Sequence, residues 1–355
     1  MKTGVSVYFS NGIEYNERII EKARKAGASY AFTSMHIPEE TGIDYGRDAR
    51  HMLKLLSEAG MALIVDVGPE TSEKLGCSSI EELADLGITH IRLDYGFTPE
   101  QTVELSRRFH IVCNASTVSR EEIFAWQHAG ADLSRFTACH NYYPKPYTGL
   151  GLAYVRSVNE RLSTLGFETI GFVPGNGDLR GPLHEGLPMI EAQRARRNDV
   201  ALNMIEAGIG GCCDAVLVGD PGLSEQGWHA FSGVSQGYVE LRARLRDRYA
   251  YLYGQIHHDR PDSSEQIMRS QESRTTFKPT VIEPDAGAGQ VRPCGTVAVS
   301  NADYARYMGE LEISRKDLPG DTRVNVAGTV DERDRRLLPF IRGGFGWKLV
   351  RGGER

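Results

Sequence analysis

Two spacings of apolar residues alternate along the first two-thirds of the chain. Stretches with apolar residues at helical spacing end in a small or apolar residue followed by glycine, and a short, almost wholly apolar run comes next. The joints are Ala26-Gly27, Ala59-Gly60, Leu86-Gly87, Ala129-Gly130, Leu165-Gly166 and Ala207-Gly208. Glycine suits the left-handed backbone just past a helix end, so each joint reads as a helix handing over to a strand. The runs that follow are YAFTSM, ALIVDV, THIRLD, RFTACH, TIGFVPG and DAVLVGD, and GVSVYF near the start and HIVCNAS near residue 110 complete a set of eight. Such runs suit strands buried on both faces of a parallel sheet. Eight strands alternating with helices predict a (β/α)8 barrel; a doubly wound open sheet competes, and the number eight favours the barrel.

The pattern changes after residue 255. HHDRPDSSEQIMRSQESR is polar and without periodicity, as a linker or surface connection would be. GTVAVS, YMGELEIS, TRVNVAGTV, LLPFI and FGWKLV then read as short strands separated by Gly, Pro and Asp, with one helical stretch around residues 301–308. The expected organisation is a barrel over residues 1–255, then a linker and a small β-barrel or β-sandwich over residues 256–355.

A barrel carries its chemistry at the C-terminal ends of its strands. Those ends hold Ser10 and Asn11; Ser34, Met35 and His36; Asp66; Arg92, Asp94 and Tyr95; Asn114 and Ser116; and Asp220. The sixth strand runs into CHNYYPKPYTGLG and the seventh into PGNGDLRGPLHEGLP. Asp66, Asp94 and Glu185 are the candidates for acid/base work. Asp66 and Asp94 end neighbouring strands, about 4.8 Å apart in a sheet, and like charges held close split their proton affinities. An aspartate at such a position also serves as a helix cap, and that reading stays open. In the sixth loop His140 and Asn141 are expected to line the mouth. Tyr142 and Tyr143 offer rings and hydroxyls to a sugar, or pack beneath the loop, and Lys145 meets an anion or solvent. The seventh loop, with its glycines, Arg180 and His184, suits a phosphate site or a lid and fits no dinucleotide or Walker pattern.

Composition narrows the classes. At 355 residues, 25% charged and 40% hydrophobic, the chain can bury a sizeable core. A net charge of −6 gives no general attraction to nucleic acid or anionic lipid, and no apolar segment has the length of a membrane span or a secretory leader. The six cysteines form no CxxC and no zinc spacing, so they read as buried thiols of a reducing cytoplasm. No metal or other cofactor is expected. None of these strand ends offers a lysine for Schiff-base chemistry, which weakens an aldolase reading. Another phosphosugar-acting barrel enzyme and a non-catalytic phosphosugar-binding or regulatory protein remain alternatives.

MKTGVSVYFS, RLDYGF (92–97), CHNYYPKPYTGLG (139–151), GFVPGNGDLRGPLHEGLPMIEAQR (171–194) and DTRVNVAG (321–328) together resemble the MupG-like 6-phospho-N-acetylmuramidase family. The likeness runs from the first strand to the last domain. It implies a TIM barrel followed by a cyclophilin-like β-barrel, and a cytoplasmic bacterial glycosidase that splits MurNAc-6-phosphate-GlcNAc in cell-wall recycling. Asp94, Asp66 and Glu185 match acidic positions of the family pattern. Asp94 is expected as general acid or orienting carboxylate, with Asp66 or Glu185 as partner, in a two-carboxylate or acetamido-assisted mechanism. Arg92, Asn114, His140, Asn141 and Tyr142 would bind sugar, and Arg180, Arg323 and Asn325 the 6-phosphate. A homodimer in which the small domain reaches a neighbouring barrel is compatible with this. EAQR at 191–194 departs from the family pattern, which has a His before the Arg, and the C-terminal tail is unusually basic.

Overall fold

All eight apolar runs form strands in the computed structural model, which describes residues 1–34, 45–68, 71–93, 96–275 and 281–352. They are β1 (Lys2–Ser6), β2 (Tyr30–Ser34), β3 (Ala62–Val67), β4 (His90–Leu93), β5 (His110–Asn114), β6 (Phe136–Cys139), β7 (Glu168–Val173) and β8 (Ala215–Val218). Every neighbouring pair is parallel, and β1 pairs with β8 to close the barrel. Closure follows from composition: every residue of β2, β6 and β8 is buried, so neither face could be left to water. Val5, Phe32, Ile64, Ile91, Val112, Ala138, Ile170 and Leu217 are each almost fully buried.

Five of the six glycine joints behave as expected: Gly27, Gly60, Gly87, Gly130 and Gly166 have φ between +70° and +92°. Gly208 does not. It lies inside a π-helical turn (Glu206–Gly210), and the left-handed residue is Cys212, at φ +57°. Gly208 is suited to its place by packing, since a Cβ there would fall 1.7 Å from the Met1 sulfur. Two of the barrel helices open on capping boxes, Thr98 with Gln101 and Ser119 with Glu122. At the N-terminal end of the barrel, Glu168 ends a polar plug, accepting from Lys2 at 3.0 Å and from the Tyr30 hydroxyl at 3.0 Å.

The chain divides into two compact units, Met1–Ser235 and Gln236–Arg355, rather than near residue 255. YVELRARL forms β9 (Tyr238–Leu245) and belongs to the second sheet. That sheet also holds β10 (Ile256–His258), β11 (Ile267–Arg269), β12 (Thr296–Ser300), β13 (Leu311–Ser314), β14 (Val324–Val330) and β15 (Gly346–Arg351). Its order is β10-β15-β9-β14-β12-β13-β11, a nearly closed mixed barrel of seven strands. The polar stretch expected as a linker contains β10 and β11, three residues each, too short to show a period. LLPFI is not a strand. Its first residue ends a short 3-10 helix (Asp334–Leu337) and the rest continues through a turn, where Pro339 has no amide to give a ladder. The residues around 302–307 are 3-10 helix, close to the expectation.

Candidate functional site

The barrel's in-register pairing lays Ser34, Asp66 and Arg92 side by side across the ends of β2, β3 and β4. The Arg92 Nε lies 3.5 Å from an Asp66 carboxylate oxygen, and its Nη2 donates to the Asn141 carboxamide oxygen. One largely buried guanidinium thus holds an acid from β3 and an amide from the loop after β6. Asp66 keeps a fifth of its side chain exposed, enough for a ligand to reach it. Asp94 lies outside the described residues, as do Tyr95, Met35 and His36.

On the opposite side of the mouth, the Arg180 guanidinium sits 4.1 Å from the centre of the Tyr8 ring and donates to the Tyr142 hydroxyl at 2.8 Å. Stacking over a ring and a fixed hydrogen bond set its direction before any ligand arrives. Tyr8 is fully buried and donates to the Gly219 carbonyl at 2.6 Å. Burial drives its hydroxyl well above the ordinary phenol range, and burial likewise raises Tyr142, with Arg180 pulling the other way. Both hydroxyls are therefore neutral donors. Phe32 and Phe172 meet the Tyr142 ring edge-on and form the floor. Tyr142 does both things weighed for it, packing on the core while its hydroxyl faces the arginine.

The Gly-rich loop after β7 is held by buried Asp220, which follows β8. Its carboxylate accepts from the amides of Gly175 (2.8 Å), Leu187 (2.9 Å) and Arg180 (3.1 Å). Burial raises its proton affinity and these three amides oppose that. Gly175 allows the close approach: a Cβ there would lie 2.5 Å from the Gly222 carbonyl and 2.8 Å from the Asp220 Cβ.

Two residues without a named role in the sequence reading join the rim loops. Arg194 donates to the carbonyls of Tyr143 (2.8 Å) and Gly186 (3.0 Å), and to the Glu191 carboxylate at 2.7 and 2.9 Å. Glu191 in turn accepts from the amides of Tyr147 (2.9 Å) and Gly149 (2.8 Å). Arg194 first, and then these amides, hold the Glu191 carboxyl at about 2. The pair ties the loop after β6 to the loop after β7, and the i, i+3 spacing in EAQR was its one trace in the sequence.

Two residues expected to meet a ligand, His140 and Asn325, lie in the interior instead. His140 does not line the mouth; it is fully buried. Its Nδ1 faces the Ser116 hydroxyl at 3.0 Å and its Nε2 the Asn159 carboxamide oxygen at 2.9 Å. Asn159 spends its Nδ2 on the Gly211 carbonyl, so Nε2 carries the proton and Nδ1 accepts from Ser116. Burial lowers the ring's proton affinity, leaving a neutral histidine that fixes β6 against the helix Leu152–Ser163. Asn114 uses its side-chain oxygen on the Ser116 amide at 3.0 Å and shapes the turn after β5. Glu185 is exposed on the seventh loop, and its carbonyl accepts from Arg194. Lys145 is exposed. In the second unit Arg323 is exposed, forked onto Asp321 with both bonds at 2.9 Å and stacked over Tyr304 at 4.4 Å. Asn325 is fully buried: it donates to the Tyr249 hydroxyl and the Glu283 carbonyl and accepts from Asn301 and the Asp285 amide. Those four bonds use it as an organiser of the β-barrel interior. Three of the six cysteines are buried as expected, while Cys77, Cys212 and Cys294 are partly exposed.

Among the described residues no cluster of three or more His, Cys, Asp or Glu could hold a metal ion, and no helix is long and apolar enough to cross a membrane.

Comparison with known families matches the two units separately. The description "6-phospho-N-acetylmuramidase, N-terminal" covers residues 3–233 and "6-phospho-N-acetylmuramidase, C-terminal" covers residues 238–350. Among solved structures, a conserved protein of unknown function from Enterococcus faecalis is similar at 33% identity and a TM-score of 0.75, over 99% of this chain and 97% of that one. An uncharacterized B. cereus protein is similar at 24% identity and a TM-score of 0.73, over 98% and 99%. The comparison with curated proteins finds no match.

Proposed function

The chain belongs to the 6-phospho-N-acetylmuramidase family, and from that premise we propose that it is a glycosidase cleaving MurNAc-6-phosphate-GlcNAc to MurNAc 6-phosphate and GlcNAc during peptidoglycan recycling in a bacterial cytoplasm. The observation that supports this best is the composition of the barrel mouth: an accessible carboxylate beside a guanidinium and an amide, faced by a second, pre-aimed guanidinium and a phenol.

Hydrolysis of a glycosidic bond needs a proton for the leaving oxygen and a stabilising group for the positive charge that grows at the anomeric carbon. Asp94 is assigned the proton donation, which releases GlcNAc with its oxygen protonated. Asp66, with Arg92 as its counter-charge, is assigned the carboxylate role. It either attacks the anomeric carbon, activates water, or orients the substrate's own acetamido group to do so. Asp66 takes this role in preference to Glu185 because a strand end fixes a side chain better than an exposed loop does. Asn141 and Tyr142 would hydrogen-bond the sugar, and Arg180 would receive the 6-phosphate, since a planar fork suits a phosphate better than a point charge.

The test is release of GlcNAc by the purified protein and by Asp66→Asn and Asp94→Asn. Removing a catalytic carboxylate costs roughly 10²- to 10⁴-fold in turnover. Both variants should fall in that range while keeping the circular dichroism of the parent. Wild-type turnover by Asp66→Asn would remove Asp66 from the mechanism, and no turnover by the parent would favour the binding-protein reading.

A further inference from the structure

The seven-stranded barrel of the second unit contains a cavity of about 390 Å³ that the hydrolytic reading leaves unused. Side-chain alternation along β13 sets its chemistry. Glu310, just before the strand, and Glu312 within it are two residues apart and face the same way, and both line the cavity. Arg269 on β11 lies directly opposite Glu312 in the antiparallel register.

Most of the charges in the wall are already committed. Glu312 is paired with Arg292, and burial raises its proton affinity against that arginine's pull. Asp321 is forked by Arg323, and Arg269 is held by Asp262 at 3.4 Å. Glu310 differs. It is only 7% exposed, it lines the cavity, and among the described residues its carboxylate has no hydrogen bond or ion pair. Arg260 feels its charge without forming an ion pair, so the carboxylate has room for a cation brought by a ligand. The rest of the wall suits a hydroxylated molecule. Tyr304 and Tyr307, with ring centres 5.6 Å apart and planes at 80°, border it with rings that Arg323 and Arg306 cover from one side, and Ser300 offers a hydroxyl. The volume lies within the range of small-molecule sites.

We propose that this cavity is a second binding site, for a monosaccharide-sized hydroxylated molecule carrying a protonated amine, with Glu310 as the partner of the ammonium group. It is separate from the proposed hydrolysis and stands or falls independently of it.

Titration calorimetry at pH 7 on the full chain tests it with glucosamine as the probe and N-acetylglucosamine as its neutral counterpart. Glucosamine should bind at least tenfold more tightly than N-acetylglucosamine, and Glu310→Gln should weaken glucosamine at least tenfold. Leu318→Trp, which fills the cavity from its wall without touching a charge, should abolish binding, so the test survives a folding defect in the first variant. Asp66→Asn should bind glucosamine as the parent does. Absence of binding, equal affinity for the two sugars, or affinity lost in Asp66→Asn and kept in both cavity variants would each overturn the proposal.

Discussion

Replacing Arg194 with alanine removes a side chain that bonds the backbone of the loop after β6, the backbone of the loop after β7, and Glu191 together. The arginine side chain is 10% exposed and the Glu191 side chain 26%. Breaking a fully buried ion pair from one side costs about 3–5 kcal/mol, and hydrogen bonds to a charged group are worth about 1.5–3 kcal/mol each. Partial exposure of Glu191, and the two amides it retains, lower the sum to roughly 2–4 kcal/mol. For a unit of this size that corresponds to a fall of about 4–16 °C in the midpoint of the barrel's thermal transition. Arg194→Lys should recover only part of it, since an ammonium cannot span carbonyls on two loops and a carboxylate together. Thermal unfolding gives the first number, and amide exchange at Tyr147 and Gly149, the donors to Glu191, gives a local check. Those two amides should exchange faster in the variant even well below its melting point. A midpoint shift under 1 °C with unchanged exchange would refute the clamp and the reasoning that the rim loops are held from this point.

Acid should destabilise both units through buried histidines. Burial above all lowers His90 in the first unit and His257 in the second from 6.5 to about 4, with His110 and Lys2 adding to it at His90 and Glu272 opposing it at His257. A histidine with a depressed folded pKa binds its proton more readily when unfolded, so its contribution is complete above pH 6.5 and is lost as pH falls toward 4. The full effect is roughly 3 kcal/mol for each ring. Urea titrations at pH 7 and 5 should show the loss, and His90→Gln should reduce it in the first unit, where buried His140 contributes as well; a parent equally stable at both pH values contradicts the assignment. Arg180→Met should raise KM for the phosphorylated disaccharide about 10- to 100-fold and leave an unphosphorylated analogue little changed, in line with one lost charged hydrogen-bond pair. An equal effect on both substrates would move the phosphate elsewhere.

The barrel was legible because its strands are largely buried on both faces and so read as continuous apolar runs, five of the eight announced by a helix-ending glycine. The same logic overlooked β9, whose alternation of buried and exposed residues marks a sheet with one face turned to water, and so placed the domain boundary about twenty residues late. β10 and β11, at three residues, carry no period at all. At the site, a strand-end rule located Asp66, Arg92 and Asp220 because register alone fixes them. It could not separate His140, buried between Ser116 and Asn159, from a histidine facing solvent, because Asn159 comes from a helix nineteen residues away. Asn325 misled for the same reason: a polar residue in a conspicuous motif serves the interior once four partners close around it. Tyr8 went unnoticed within an apolar strand, although its position near the end of β1 puts it under Arg180.

The measurement closest to the central claim compares kcat/KM for MurNAc-GlcNAc with and without the 6-phosphate, with the products identified. The account predicts release of GlcNAc from the phosphorylated disaccharide, at least a hundredfold preference over the unphosphorylated one, and loss of that activity in Asp66→Asn. Turnover of the two substrates at equal efficiency, or of neither, would contradict it.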